Sequence, residues 1–221
     1  MLEHELVNDI NQYLESHGVR YSNELRMGIG IPDISFNIGA NYRLKPINDY
    51  FLLSILSFVE NKKQTTFIEI KNAFRLSLKQ VKQRISKLAN MSLVRIKNQL
   101  IIAVKSIFTT NLGTTTSVEA KLKDWKGACL QAQRYLLFSD YSYVAMPAAY
   151  IKNIDLMLFR DCEIGLLSVD GKKLTEIVPA QKSDQCNFIQ KYLITSKILE
   201  RYETINKRRL RNTIFTSYAS K

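Results

Sequence analysis

Two short segments of the chain carry polar residues at alternate positions. The first is Ile31-Pro32-Asp33-Ile34-Ser35-Phe36-Asn37-Ile38, and the second is Val118-Glu119-Ala120-Lys121-Leu122. Successive side chains of a β-strand point to opposite faces, so each segment predicts a strand with one apolar and one polar face. On this pattern Glu119 and Lys121 share a face, and Asp33 begins the polar face of the other strand.

Outward from these strands, apolar spacing predicts further helices and strands. We expect helices over 2–16, 124–138, 148–160 and 187–212, and strands over 20–27, 33–38, 115–122, 141–145 and 164–169. Helices that alternate with strands indicate an α/β fold. The sequence therefore predicts a discontinuous core domain made of residues 1–42 and 114–221.

The segment between the two parts, residues 43–113, has a different character. Residues 43–105 hold 13 Lys and Arg against three acids, and so carry most of the chain's net charge of +12. Helices are predicted over 49–60, 67–74 and 78–90, with a turn at 75–77 and two short strands within 93–104. This order is typical of a winged helix-turn-helix, so we expect an inserted winged-helix domain.

The helix over 78–90 is expected to bury Leu78, Val81, Ile85 and Leu88 and to expose a basic face. Lys and Arg neutralise phosphates, and Gln can hydrogen-bond to base edges in the major groove. The predicted DNA-binding residues are Lys79, Gln80, Lys82, Gln83, Arg84, Lys87 and Lys97. A charged face is also common on solvated helices, and some winged helices bind proteins. The single sign of the charge favours nucleic acid.

Composition excludes several other classes. The three cysteines are widely separated, which argues against a zinc ribbon or a disulfide framework. With only two histidines, chemistry that needs several His ligands is disfavoured. The first residues resemble no signal peptide, and no apolar run reaches the length of a membrane span, so a cytoplasmic protein without a membrane partner is expected.

Asp33, Glu119 and Lys121 together suit a magnesium site. Carboxylate oxygens are hard ligands of the kind that Mg²⁺ prefers, with water and phosphate completing its coordination. Bound metal acidifies a water molecule and stabilises charge on phosphate oxygens. An adjacent ammonium can orient or deprotonate that water and stabilise the same charge.

The pair Ile31-Pro32-Asp33-Ile34 and Glu119-Ala120-Lys121 resembles the motifs of the PD-(D/E)XK nuclease superfamily. The resemblance covers about residues 1–38 and 114–170, and the gap between the motifs is longer than usual because of the insertion. It implies a restriction endonuclease-like mixed sheet flanked by helices. It also implies that Asp33 and Glu119 bind Mg²⁺, with Mn²⁺ as a substitute, that the Ala120 carbonyl adds a ligand, and that Lys121 acts on the water.

Two further features extend this resemblance. Gln131-x-x-x-Tyr135 is similar to a QxxxY motif found beside the metal site in one branch of the superfamily, which makes both residues catalytic candidates. The alternative is that Tyr135 is a core tyrosine beside a helix-edge glutamine. Some members also place a Glu from the first helix in the site. Glu3, on the stripe of Val7 and Ile10, is preferred to Glu5, and Glu24 is a competing third carboxylate.

The expected function is that of a Mg²⁺-dependent DNA endonuclease whose winged helix binds duplex DNA. Three alternatives stay open. The first is a DNA-binding protein that uses the nuclease fold as a scaffold. The second is a subunit that binds a protein partner, and the third is an RNA nuclease. A homodimer is compatible with the first expectation, because cutting both strands often takes two active sites.

Overall fold

A mixed six-stranded sheet forms the centre of the larger of two units. The computed structural model describes residues 2–41, 44–104 and 106–201. The chain divides into Met1–Pro46 with Asn111–Lys221, and Ile47–Thr110. The sequence analysis placed these boundaries at 42/43 and 113/114.

The elements follow the chain in this order: α1 (Glu3–Ser16), β1 (Arg20–Asn23), β2 (Ile34–Ile38), α2 (Tyr50–Lys62), β3 (Gln64–Thr66), α3 (Phe67–Phe74), α4 (Leu78–Asn90), β4 (Val94–Lys97), β5 (Leu100–Ala103), β6 (Thr114–Ala120), α5 (Trp125–Tyr135), β7 (Tyr141–Pro147), a 3₁₀ helix (Ala148–Asn153), α6 (Leu156–Asp161), β8 (Gly165–Asp170), β9 (Lys173–Val178) and α7 (Phe188–Arg201).

The large sheet has the order β1-β2-β6-β7-β8-β9. Strands β6, β7 and β8 run parallel, and the other neighbours are antiparallel. Helix α1 buries Leu6, Ile10 and Leu14 in one cluster with the apolar side chains of β2, β6 and β7. The predicted α/β class is thus confirmed as a mixed sheet flanked by helices.

The polar face of β2 is buried rather than solvated. Ser35 and Asn37 are both within 2% of full burial, because α7 packs against β1, β2 and β6. The Asn37 amide donates to the Leu112 carbonyl at 2.8 Å. Buried polar groups need such partners, and here they join the sheet to its covering segments. The alternation therefore predicted a polar face but not the helix that covers it.

Other expectations are also corrected. Strand β1 ends at Asn23 rather than at residue 27, because Glu24 adopts a left-handed backbone with a φ of 50° that ends the strand. Strand β9 was not predicted. Of the final helix predicted over 187–212, the structure describes Phe188–Arg201, and the rest lies outside the described residues.

The smaller unit contains three helices and a three-stranded antiparallel sheet with the order β3-β5-β4. Thr66 and Ser77 cap α3 and α4 by accepting from the backbone amides of Glu69 and Gln80. Helix α4 buries Val81, Ile85 and Leu88. Leu78 is 37% exposed, contrary to expectation, because it occupies the first position of the helix. No helix among the described residues is long and apolar enough to cross a membrane.

Candidate active site and basic helix face

The register of β2 and β6 brings Asp33 beside Glu119. The strands pair antiparallel from Ile38 opposite Thr114 to Ile34 opposite Val118, so the next two residues outward are Asp33 and Glu119. Asp33 Oδ2 accepts a hydrogen bond from the Ala120 amide at 2.7 Å. The two carboxylates therefore meet at one end of the central strand pair.

Glu119 is almost fully buried, with 2% of its surface exposed. The Tyr135 hydroxyl donates to Glu119 Oε2 at 2.5 Å, and Lys121 Nζ lies 3.1 Å from Glu119 Oε1. Burial raises the pKa of Glu119 and the Asp33 charge adds to this rise, whereas the hydrogen bonds from Tyr135 and Lys121 oppose it. Burial likewise raises the pKa of Asp33, against the hydrogen bond from Ala120. Both carboxylates thus lie where added positive charge is favoured.

Lys121 provides part of that positive charge. Its Nζ lies between Glu119 and Glu3, at 3.1 Å from Glu119 and 3.7 Å from Glu3 Oε2. Burial lowers the pKa of Lys121, but the hydrogen bond to Glu119 and the surrounding carboxylates outweigh burial and leave that pKa above its ordinary value. The ammonium is therefore the stable form at neutral pH, suited to donating hydrogen bonds rather than to accepting a proton.

The three candidates for a third carboxylate differ in their positions. Glu3 does not face the core as expected: its side chain is 52% exposed and reaches Lys121 from the first turn of α1. Glu5 accepts from the Leu2 amide at 2.6 Å and so closes the start of α1. Glu24 is exposed, and its amide donates to the Asp33 carbonyl at 3.2 Å. Of these candidates, Glu3 is the one that forms an ion pair with Lys121 among the described residues.

A cleft of about 550 Å³ opens beside Asp33. It is lined by Glu3 and other residues of α1, by the end of β1 and by Ala120. The side-chain oxygens of two lining residues, Asn11 and Asn23, are buried and have no hydrogen-bond partner among the described residues. Sequence reasoning did not single out these asparagines, and neither lies in a recognisable motif.

Tyr135 is both a buried residue and a part of the site. Its hydroxyl also lies 3.2 Å from the carbonyl oxygen of Ile31. A Cβ atom added to Gly30 would lie 2.7 Å from the Tyr135 ring, so only glycine fits against it. Burial and the Glu119 carboxylate raise the pKa of Tyr135, which keeps its hydroxyl protonated. Gln131 lies one turn earlier on α5 and is half-buried, and its side chain contacts neither Glu119 nor Asp33 through a hydrogen bond within the described part of the chain.

The donor set fits a magnesium ion. Mg²⁺ is commonly held by one or two carboxylates, with water and substrate phosphate supplying the remaining ligands. Asp33 and Glu119 provide two carboxylates, and Lys121 Nζ occupies one oxygen of Glu119 at 3.1 Å. Within residues 2–41, 44–104 and 106–201, no group of three or more His, Cys, Asp or Glu side chains is arranged to hold a metal ion. A magnesium ion bound here would therefore need water and substrate phosphate to complete its coordination.

The predicted DNA-binding residues of the smaller unit separate into two groups. Lys79, Lys82, Gln83, Lys87 and Lys97 are exposed. Gln80 is exposed, but its Oε1 accepts from the Ser77 amide at 2.9 Å and belongs to the cap of α4. Arg84 is half-buried over the Phe51 ring, with its guanidinium carbon 5.6 Å from the ring centroid. A depression of about 560 Å³ lies along this face, from Lys82 to Lys87.

Comparison with known proteins identifies no family and no activity for this chain. No protein-family profile matches the chain, and no curated protein matches it. A solved structure from Silicibacter pomeroyi, of a protein of unknown function, is similar to 90% of this chain and 84% of its own, with 12% identity and a TM-score of 0.45.

Proposed function

We propose that this protein is a metal-dependent endonuclease that hydrolyses DNA phosphodiester bonds, with a restriction endonuclease-like core and an inserted winged helix that binds duplex DNA. One observation carries the proposal. Asp33, Glu119 and Lys121 come from segments more than 80 residues apart, yet they converge at one end of the β2–β6 pair. The element order α1-β1-β2-β6-α5-β7 around them supports the same core.

The catalytic roles follow from the charges and contacts. Asp33, Glu119 and the Ala120 carbonyl would hold Mg²⁺, which when bound acidifies water and stabilises charge on the phosphate. Lys121, protonated at neutral pH, donates hydrogen bonds to the attacking water or to a non-bridging phosphate oxygen. Tyr135 holds Glu119 in one orientation by donating to Oε2, and so acts as a positioning residue.

The smaller unit supports the DNA-binding part of the proposal. Residues 47–110 hold 11 Lys and Arg against three acids. Its helices and hairpin follow the winged-helix order, and the exposed residues of α4 include three lysines and Gln83. Such a face neutralises phosphates and makes binding depend strongly on salt.

The proposal is tested by cleavage of supercoiled, linear, branched and single-stranded DNA in Mg²⁺, in Mn²⁺ and in EDTA. Wild type is compared with Asp33→Asn and Lys121→Ala, and with the exposed Lys182→Ala as a matched lysine control, since Lys182 lies near the start of β7 at the opposite end of the sheet. Cleavage that needs metal, is lost in the two site variants and persists in the control is the expected result. Equal cleavage in EDTA, or in Asp33→Asn, would contradict the proposal.

A second candidate function is DNA binding without cleavage. It is favoured by the Lys121 ammonium, which already neutralises Glu119 and thereby completes a stable ion pair in the absence of metal. Salt-dependent DNA binding, together with the absence of cleavage on every substrate in both metals, would select this candidate.

A further inference from the structure

Two exposed isoleucines project from the loop between β1 and β2. Ile29 is 42% exposed and Ile31 is 50% exposed, in the segment Gly28-Ile29-Gly30-Ile31-Pro32. Glycine and proline are the ordinary residues of tight turns, whereas β-branched residues are disfavoured there. A single exposed apolar residue is common on protein surfaces. Two of them at alternate positions of a glycine-rich turn, immediately before Asp33, are unusual and suggest an apolar contact with a ligand.

The loop that carries them is held in place at several points. Leu25 and Met27 are buried, and the Met27 amide donates to the Gly30 carbonyl at 3.1 Å. Gly30 packs against the Tyr135 ring so closely that a Cβ atom would lie 2.7 Å from it. The isoleucines therefore project from a fixed turn, and little conformational entropy is lost when they meet a ligand.

The same contacts fix the loop relative to the catalytic carboxylates. The Tyr135 hydroxyl lies 3.2 Å from the Ile31 carbonyl oxygen and 2.5 Å from Glu119 Oε2. Ile31 is also only two residues before Asp33. A phosphodiester held by Asp33, Glu119 and Lys121 would thus have its flanking bases next to an apolar projection. Apolar side chains beside a DNA backbone pack against base faces rather than phosphates, and they partly unstack the base step that they enter.

We propose that Ile29 and Ile31 form a wedge that packs against unstacked bases flanking the scissile phosphate. The substrate class is then duplex DNA with an unpaired or weakly stacked base at the cut, such as a single-strand/duplex junction. Unstacking a base costs least where the base is mismatched or unpaired, so a wedge selects such DNA over a perfect duplex. This inference rests on the proposed nuclease function.

The test uses the full chain and two matched double variants. Ile29→Ser with Ile31→Ser removes the wedge, and Leu130→Ser with Met157→Ser removes two exposed apolar side chains elsewhere in the same unit. The cut position is first mapped on a junction DNA in Mg²⁺. 2-Aminopurine, whose fluorescence increases on unstacking, is then placed next to that position, and binding is followed in Ca²⁺.

Wild type and the Leu130/Met157 variant should increase the fluorescence and cut the junction at least about tenfold faster than a perfect duplex, whereas the wedge variant should do neither. Unchanged thermal unfolding of the wedge variant shows that its fold is intact. If wild type cuts with metal and the wedge variant matches it in both measurements, the wedge is overturned while the nuclease proposal stands. If wild type cuts no DNA, the nuclease proposal fails and the wedge fails with it.

Discussion

The Tyr135 hydroxyl donates a hydrogen bond of 2.5 Å to Glu119 Oε2, and through this contact a helix residue orients a strand carboxylate that is almost fully buried. The contact matters because a buried charge is costly unless it is hydrogen-bonded. Lys121 serves the other oxygen of Glu119, at 3.1 Å from Oε1. Each oxygen of Glu119 therefore has one dedicated donor.

Tyr135→Phe should destabilise the protein by about 1–3 kcal/mol, since it leaves a buried carboxylate oxygen without a donor. Because the Tyr135 hydrogen bond lowers the pKa of Glu119, its loss should move the acidic limb of the pH–rate profile to higher pH. Urea unfolding and cleavage rates between pH 5 and 9 would measure both effects. Tyr150→Phe, which removes a hydroxyl from an exposed ring, is the control and should leave both unchanged.

Gly30→Ala should destabilise the protein by about 1–3 kcal/mol, because the new methyl group overlaps the Tyr135 ring and forces the loop outward. A double-mutant cycle with Tyr135→Ala would identify the cause. In the Tyr135→Ala background the same glycine substitution should cost much less, since the ring is gone. Equal costs in both backgrounds would show that the ring contact is not responsible.

Asp33→Asn should reduce the rate of metal-dependent cleavage at least about 100-fold. The same substitution should stabilise the metal-free fold at neutral pH. Burial raises the pKa of Asp33 above its ordinary value of 3.8. The folded state therefore favours the protonated carboxyl. This contribution to stability is present below about pH 3.8 and is lost as the pH rises through the raised pKa of Asp33 in the folded state. In EDTA, the Tm advantage of Asp33→Asn should be largest at pH 7 and should vanish below about pH 3.8. A variant less stable than wild type at pH 7 would contradict this sign.

Lys121→Ala should reduce the cleavage rate by about 100- to 1,000-fold, the usual cost of losing one donor to a developing oxyanion. The pKa of Lys121 lies above its ordinary value of 10.5, so wild-type activity should show no loss from lysine deprotonation below that pH. Single-turnover rates measured up to pH 10 would show this. A rate that instead rises with pH through a limb near neutral pH, and a limb that Lys121→Arg removes, would make Lys121 a proton acceptor.

The double variant Lys82→Ala with Lys87→Ala should weaken DNA binding to all sequences. It should also reduce the slope of log affinity against log salt concentration by about 1.8, which is about 0.9 for each phosphate that is no longer neutralised. Fluorescence anisotropy between 50 and 300 mM salt would measure the slope. Arg134→Ala with Lys182→Ala, which removes the same charge from exposed residues at the sheet edge away from Asp33 and Glu119, should leave the slope unchanged.

Much of the fold could be predicted because local patterns are strong where helices are amphipathic. Helices α3 and α4 begin and end where the sequence placed them, since Thr66 and Ser77 are effective caps. Strand β9 was missed because only one of its residues, Val178, is fully buried, which leaves little apolar periodicity to detect. The burial of Ser35 and Asn37 was missed because serine and asparagine do not indicate that a helix covers them.

The residues of the site were likewise predicted only in part. Asp33, Glu119 and Lys121 could be singled out because i and i+2 residues share a strand face, and their meeting depended only on the pairing of β2 with β6. The exposure of Glu3 differed from expectation because it precedes the first buried turn of α1, where helical spacing no longer decides which side is covered. The unpartnered oxygens of Asn11 and Asn23, and the fit of Gly30 against Tyr135, depend on tertiary packing and have no local signal.

The connection between β2 and β6 bears on how the chain folds during synthesis. Ile38 and Thr114 are paired, and the Asn41 amide donates to the Asn111 carbonyl at 3.0 Å, so the chain leaves and re-enters the sheet at adjacent points. Roughly 75 residues must be closed into a loop before β6 can pair, and each doubling of loop length costs about 0.6 kcal/mol. Residues 47–110 are contiguous, and they emerge from the ribosome ahead of β6. If they fold first, only about a dozen residues outside that unit remain to be closed into the loop. Its closure then costs about 1.5–2 kcal/mol less, and the early-folding unit speeds assembly of the two carboxylates.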